Sequence, residues 1–421
     1  MSHLDGPRGV LVVTDAYPPD CGGSGWSTHA LVTGLRGVGH RVYVLEVDPH
    51  GDGPATDREF DEVPLRTVRL GKYRTPWRHL AARDYSCEPV REHVAAFLER
   101  HSDIDIVHGQ HLHSGQGAAL AARAAGRAAL VTLRDYWPVR LDGIAWPGES
   151  AAEGSRARAR QALTRSFGLS APLATLAAGR ALRRLAERRE ALAACHRVIC
   201  VSSAVRHHVR HAVETPIDVI PNLIDPQRSA AAAARAATST EIPAPYLLAA
   251  GKLNAMKGFD RVVGELGAAG CQWPLVVAGT GPLEAEMTRA AKQAGLEVIL
   301  LGWTGGDTLL RLARDARAVI VPSVWEEPLA RVILESMSLA TPVIARATGG
   351  SPEAIEHGHN GFLYRTTDEL AAALRSLADD AEARRLGSAA LATCSEKYGP
   401  EVVLGSVQRS YARALAAVDD E

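Results

Sequence analysis

Short runs of aliphatic and β-branched residues recur along this sequence, separated by longer Ala/Leu/Arg stretches of helical period. A parallel sheet with crossover helices reconciles the two periods, because a strand covered on both faces reads as a continuous apolar run. The first half offers Gly9–Thr14, His40–Val47, Ile104–His108, Ala129–Leu133, Arg197–Val201 and Asp218–Ile220 as strands. The second offers Tyr246–Ala250, Leu275–Ala278, Val298–Leu301, Ala318–Val321, Val343–Ala345 and Gly361–Tyr364. Two such series in 421 residues exceed what one core organises. The expected class is therefore α/β, with two doubly wound parallel sheets. We place the first domain at 1–226, a connector at 227–244 and the second domain at 245–399. An amphipathic helix over 400–421, after the Gly399-Pro400 break, is free to cross back onto the first domain.

Apolar residues at 46 %, charged residues at 23 % and a net charge of −1 describe an ordinary globular chain, with no overall field to gather nucleic acid. Cys21, Cys87, Cys195, Cys200, Cys271 and Cys394 form no C-x-x-C pair and read as reduced thiols of a cytoplasmic protein. No apolar run is long enough for a signal peptide or a spanning helix, so any membrane contact is peripheral. One segment stands apart: 149–194 is rich in Arg and Ala. It reads either as solvated helices or as a basic amphipathic face for an anionic acceptor or a membrane surface. Oligomeric state is left open.

The chemistry concentrates in the stretch from Val321 to Met337. A strand ends at Val321, a turn carries Glu326 and Glu327, and Pro328 suits the first position of a helix. Such a helix directs the N–H groups of Leu329, Ala330 and Arg331 at whatever lies beyond the strand ends, where a diphosphate fits. Glu327 before the helix and Glu335 about two turns into it then flank the ligand at different depths. Gly251-Lys252 and Lys257 follow the strand ending at Ala250, where doubly wound sheets bind ligands, and two cations there stabilise a departing diphosphate. That leaving group demands neither a strong general acid nor a metal. Gly22-Gly23 and Gly279-Thr-Gly281 are further glycine-bearing βα turns that admit close backbone approach. Each of these residues, taken alone, also fits a solvated surface side chain or an ordinary turn.

In their order and spacing these stretches resemble the retaining GT-B glycosyltransferases of family four. The resemblance covers nearly the whole chain: Tyr17-Pro-Pro, Gly22-Gly23, Gly39-His40, Asp105-Ile-Val-His108, Ile220-Pro-Asn-Leu-Ile-Asp225, Lys257-Gly-Phe, Gly279-Thr-Gly-Pro, Pro322-Ser323, Glu327 and Glu335, Gly349-Gly350 and Asn360-Gly361. It implies two Rossmann-like domains facing a cleft, a UDP- or GDP-linked sugar in the second and a small-molecule or lipid-linked acceptor in the first. It also implies hexosyl transfer with retention and no cofactor besides the donor. On this resemblance Glu327 meets the donor sugar, Glu335 the ribose, and Lys252 and Lys257 the diphosphate. Lys252 stands where an arginine is common; Pro328 and Ala330 replace glycines; Leu223 replaces another, which reads as structural. Arg134 stands where many relatives carry an active-site histidine, so Arg134 and Asp135, with His108, are the expected acceptor-side residues.

Three rivals stay open on sequence. Gly23-Ser-Gly25 with Glu46 outlines a nicotinamide-dependent oxidoreductase lacking its third glycine, since Thr28 occupies that place. Glu327 and Glu335 could form a glycosidase pair. A non-catalytic sugar-nucleotide-binding scaffold is the third. His108-Gly-Gln-His111-Leu-His113 has no recognisable ligand spacing, and Asp103-Ile-Asp105 starts a strand, so no metal is expected.

Overall fold

Among the described residues, eight strands build the first sheet of this computed structural model: β1 (Gly9–Thr14), β2 (Arg41–Asp48), β3 (Thr56–Phe60), β4 (Val63–Arg69), β5 (Ile104–Gly109), β6 (Ala128–Leu133), β7 (Arg197–Cys200) and β8 (Ile217–Val219). Their order is β3-β4-β2-β1-β5-β6-β7-β8, and every pairing except β3 with β4 is parallel. The second sheet holds β9 (Leu247–Ala250), β10 (Leu275–Ala278), β11 (Val298–Gly302), β12 (Ala318–Val321), β13 (Val343–Arg346) and β14 (Phe362–Tyr364). Its order is β11-β10-β9-β12-β13-β14, parallel throughout. The described residues are 4, 6–49, 51–70, 88–149, 156–236 and 242–421. Cys87, residues 150–155 of the basic segment and residues 237–241 of the expected connector lie outside them.

β1, β6, β10 and β12 are buried along their whole length, as their unbroken apolar runs require. The β3–β4 hairpin was not expected. Thr56-Asp-Arg-Glu-Phe60 lacks apolar alternation, and its two-residue turn uses Asp61 and Glu62 at φ 50° and 61° in place of the usual glycine. Arg58 of β3 donates to the carbonyls of Tyr17 and Pro18 and to Glu46, so the hairpin braces the loop after β1.

The chain divides into two units: Met1–Pro221 with Leu404–Glu421, and Asn222–Val403. The connector expected at 227–244 is helical over Pro226–Arg235 and belongs to the second unit. Asp225 caps that helix, its Oδ1 accepting from the N–H groups of Gln227 and Arg228 at 2.9 and 3.2 Å, and Pro226 preforms its first turn. Its alanine run supplies Ala232 and Ala233 as a buried face.

The Pro400–Asp419 helix starts in the second unit and, from Leu404, continues in the first. There the Tyr411 hydroxyl meets His108 Nδ1 at 2.9 Å, and Ser410 and Arg413 both donate to the Asp218 carboxylate.

Candidate active site

In both sheets the first strand has neighbours whose connections leave it in opposite directions, β2 and β5 around β1, β10 and β12 around β9. Ligands of doubly wound sheets sit beyond the carboxyl ends of the strands at such a switch point. In the second unit the loops meeting there are Gly251–Lys257 after β9 and Pro322–Glu327 after β12.

These two loops are laced together. Val324 N–H donates to the Met256 carbonyl at 2.9 Å, and Gly258, at φ 76°, lies so close that a Cβ would stand 2.0 Å from the Pro322 carbonyl oxygen. Lys257 is thereby brought onto Glu327, its Nζ donating to Oε1 at 2.6 Å and Oε2 at 2.7 Å. Oε2 also accepts from Ser323 Oγ and Trp325 Nε1, each at 2.8 Å. The carboxylate is buried, with 7 % of its side chain exposed against 28 % for Lys257. Gly349 and Gly350 hold its backbone from the other side. Gly350 N–H donates to the Glu327 carbonyl and Gly349 N–H to Glu326 Oε2, both at 2.7 Å. The φ of Gly349 is 54°, and a Cβ there would fall 2.1 Å from the Glu327 oxygen.

The helix expected to begin at Pro328 begins at Arg331, with Ala330 as its N-cap. Leu329 and Ala330 are buried in the apolar core, and the chain is still turning at Glu327, so Pro328 cannot enter a helix. The N–H groups of Leu329 and Ala330 therefore precede the helix, and Arg331 opens it. Glu335 consequently sits about one turn in, not two, and pairs with Arg331 Nε at 2.7 Å. Lys252 is exposed, and among the described residues no hydrogen bond or ion pair joins it to the Glu327 cluster. Gly251 and Gly279 lie side by side through Gly251 N–H to the Ala278 carbonyl and Gly279 N–H to that of Gly302.

In the first unit the switch point brings together Asp15 after β1 and His111 after β5. Asp15 accepts from the N–H groups of His113 and Ser114 at 3.0 and 2.7 Å, so its carboxylate caps the Leu112–Ala124 helix. Asp15 N–H donates to His111 Nδ1 at 3.2 Å, which fixes that nitrogen as acceptor and leaves the proton on Nε2. Nε2 is buried without a protein partner among the described residues. Burial, chiefly, pulls the His111 pKa down to about 4, so the ring is neutral. After β6, Arg134 donates to Gln110 Oε1 at 2.6 Å, and Asp135 Oδ1 accepts from Trp137 N–H at 2.8 Å. Burial raises the Asp135 carboxyl to about 6 against the opposing pull of that N–H and of Arg188, with Asp15 and Asp142 pushing it up. Arg188 is fully buried and donates to the carbonyls of Trp137, Arg140 and Leu141, anchoring the loop that carries Asp135. Gly22 and Gly23 are exposed at the start of the Gly23–Gly37 helix, which no side chain caps.

His108 is not an acceptor-side residue. It is buried inside β5, with Nδ1 at Tyr411 and Nε2 at Thr132 Oγ1, 2.7 Å away, and burial holds it neutral with a pKa near 3. Asp15 and Trp325 carried no reading on sequence, and His111 and Ser323 were named without a site role. Position was the usable signal, because His108 lies within the strand and His111 beyond its end. The oxidoreductase reading loses its acid, since Glu46 accepts from Tyr17 N–H, the Thr67 hydroxyl and Arg58. The glycosidase reading needs two carboxyls free to face the scissile bond, yet Glu327 and Glu335 are each engaged by a cation, Lys257 and Arg331. Among the described residues no group of three or more His, Cys, Asp or Glu is placed to hold a metal ion.

Two family profiles match the chain: Glycosyltransferase Family 4 over residues 21–228 and Glycosyl transferases group 1 over residues 233–391. The crystal structure of Anabaena HepE in complex with UDP superposes with a TM-score of 0.65 at 19 % identity, covering 96 % of this chain and 99 % of that one. Two parallel-sheet Rossmann-like units of this order define the GT-B fold. The chain belongs to the group 1 glycosyltransferases, with a family-four domain as its first half. An uncharacterized glycosyltransferase of Methanocaldococcus jannaschii is 40 % identical over 90 residues, 21 % of this chain and 23 % of its own. The 2-deoxystreptamine glucosyltransferase of Streptomyces kanamyceticus is 28 % identical over 257 residues, 54 % of this chain and 64 % of its own. The chain thus spans less than two thirds of the length of either relative.

Proposed function

We propose that this protein is a cytoplasmic, metal-independent enzyme that moves a hexosyl group, with retention, from a UDP-linked donor to an acceptor hydroxyl. The observation that carries the reading is the Lys257 ammonium seated on a buried Glu327 at the switch point of the second sheet. Two of the ammonium's three N–H bonds go to Glu327, which leaves one for a phosphate oxygen. Oε1 of Glu327 takes only the lysine bond, so it retains acceptor capacity for a sugar hydroxyl. The bond from the anomeric carbon to the phosphate oxygen breaks with its electron pair going to the diphosphate. Lys257 and the exposed Lys252 stabilise the charge that develops there. The acceptor oxygen forms the new bond, and its proton passes to the departing phosphate. Glu335 holds the ribose, and the backbone beside Gly251 and Gly279 and the start of the Arg331–Ser338 helix flank the diphosphate. In the first unit, exposed Gly22 and Gly23 offer backbone N–H groups for donor binding, while Asp135, Arg134 and the orphaned His111 N–H orient the acceptor.

The choice of uridine draws on HepE, crystallised with UDP and with UDP-glucose, and the hexose on the glucosyltransferase of S. kanamyceticus. Release of UDP from a panel of UDP-sugars, with chelator present, tests the reading. Glu327→Gln and Lys257→Ala are each expected to lower kcat by about 10² or more. Undiminished turnover in both folded variants, or UDP release that depends on added divalent metal, contradicts it.

A further inference from the structure

Between β6 and β7 the Arg156–Arg165 and Ala171–Ala193 helices pack on one another through Ala159, Leu163, Ala174, Ala178 and Ala181. Ala174, Ala178 and Ala181, with Leu185, form one stripe of the longer helix. The positions about 140° round the same helix, Leu173, Leu176, Arg180 and Arg183, are exposed. Leu176 is 84 % exposed, the most of any large apolar side chain among the described residues, and Leu173 is 41 % exposed. From residue 156 to residue 186 the sequence holds seven arginines and no aspartate or glutamate, in a chain of net charge −1. A groove of about 410 Å³ runs from Arg160 and Thr164 of the shorter helix to Ala171 at the start of the longer one.

We propose that this face docks the protein on a bilayer containing anionic lipid. Leu173 and Leu176 enter the boundary between headgroups and acyl chains, and Arg180, Arg183, Arg156 and Arg160 remain among the lipid phosphates. A protein partner fits less well, because a stable interface covers roughly 800 Å² a side around a packed apolar centre. Here two leucines stand on an alanine and arginine helix, and each can enter a lipid surface independently of the other. Nucleic acid answers the arginines and leaves both leucines in water.

Vesicle co-sedimentation of the full chain tests this without using turnover, so it is separate from the transfer reaction. Binding is expected to phosphatidylcholine vesicles carrying about 30 % phosphatidylglycerol, and to fall at least tenfold on pure phosphatidylcholine or at about 1 M salt. Leu173→Ser with Leu176→Ser should weaken it about tenfold or more. Arg180→Glu with Arg183→Glu should weaken it further, since each arginine near such a surface contributes about fivefold. Far-ultraviolet spectra and thermal midpoints equal to the parent's establish that both variants are folded. Failure of the parent to bind anionic vesicles, binding unaffected by both variants, or a solution dimer that Leu176→Ser dissociates in place of vesicle binding each overturns the proposal.

Discussion

A carboxylate gripped by an ammonium, a hydroxyl and an indole N–H has its direction set before any ligand arrives, and this distinguishes Glu327 from the surface glutamates around it. Trp325→Phe removes one grip and leaves the lysine pair intact. Its kcat/KM for donor is expected to drop about tenfold, the worth of a hydrogen bond to a charged group, in steady-state assays of a variant with native circular dichroism. An unchanged value would assign the orientation to Lys257 and Ser323 alone. In the proposed acceptor site, burial raises the Asp135 carboxyl to about 6. If its ionised form holds the acceptor, kcat/KM for acceptor declines as the pH falls below about 6, and Asp135→Asn removes that limb of the profile. The placement of Glu327, Lys257 and Asp135 just beyond strand ends was legible because their motif spacing is tied to those ends. Trp325 and Ser323 were not, because which side chains a curled loop turns toward its own carboxylate depends on the neighbouring loop after β9. Histidine number misled where histidine position would not have: three occur within six residues, and the strand ends between the first and the second.

Loops and strands explain why the site's glycines are where they are. The Gly349-Gly350 pair buttresses the Glu326-Glu327 backbone. Gly349→Ala must either displace that backbone or strain a left-handed residue, a cost of at least about 1–3 kcal/mol. Urea unfolding should show the loss of stability, and the donor KM should rise with it; an unchanged pair of values would mean the loop adjusts freely. Strand positions were readable from unbroken apolar runs, since burial on both faces writes itself into composition. The β3–β4 hairpin was hidden because its strand is polar and its turn departs from glycine preference. The start of the Arg331–Ser338 helix was misplaced for a related reason: Pro328 marks a compatible first turn, but the tertiary hold on Glu327 delays it by three residues.

At the scale of the molecule, the buried neutral histidines make the fold acid-sensitive. His108 and His111 have native pKa values near 3 and 4, below the ordinary value of 6.5. The unfolded chain binds protons there first, so their contribution to stability is complete above about 6.5 and is lost as pH falls toward 4 and 3. Urea midpoints at pH 7 and pH 5 should differ in that direction, and a Thr132→Val, Tyr411→Phe background should alter the difference. The chain also passes between units twice, at Pro221–Asn222 and at Val403–Leu404. During synthesis, then, the domain that emerges first is the one completed last. Its His108 and Asp218 stay without Tyr411, Ser410 and Arg413 until the whole of the second domain has left the ribosome. A released chain that ends at Val403 should present a protease-resistant second domain and a first that is still open to cleavage.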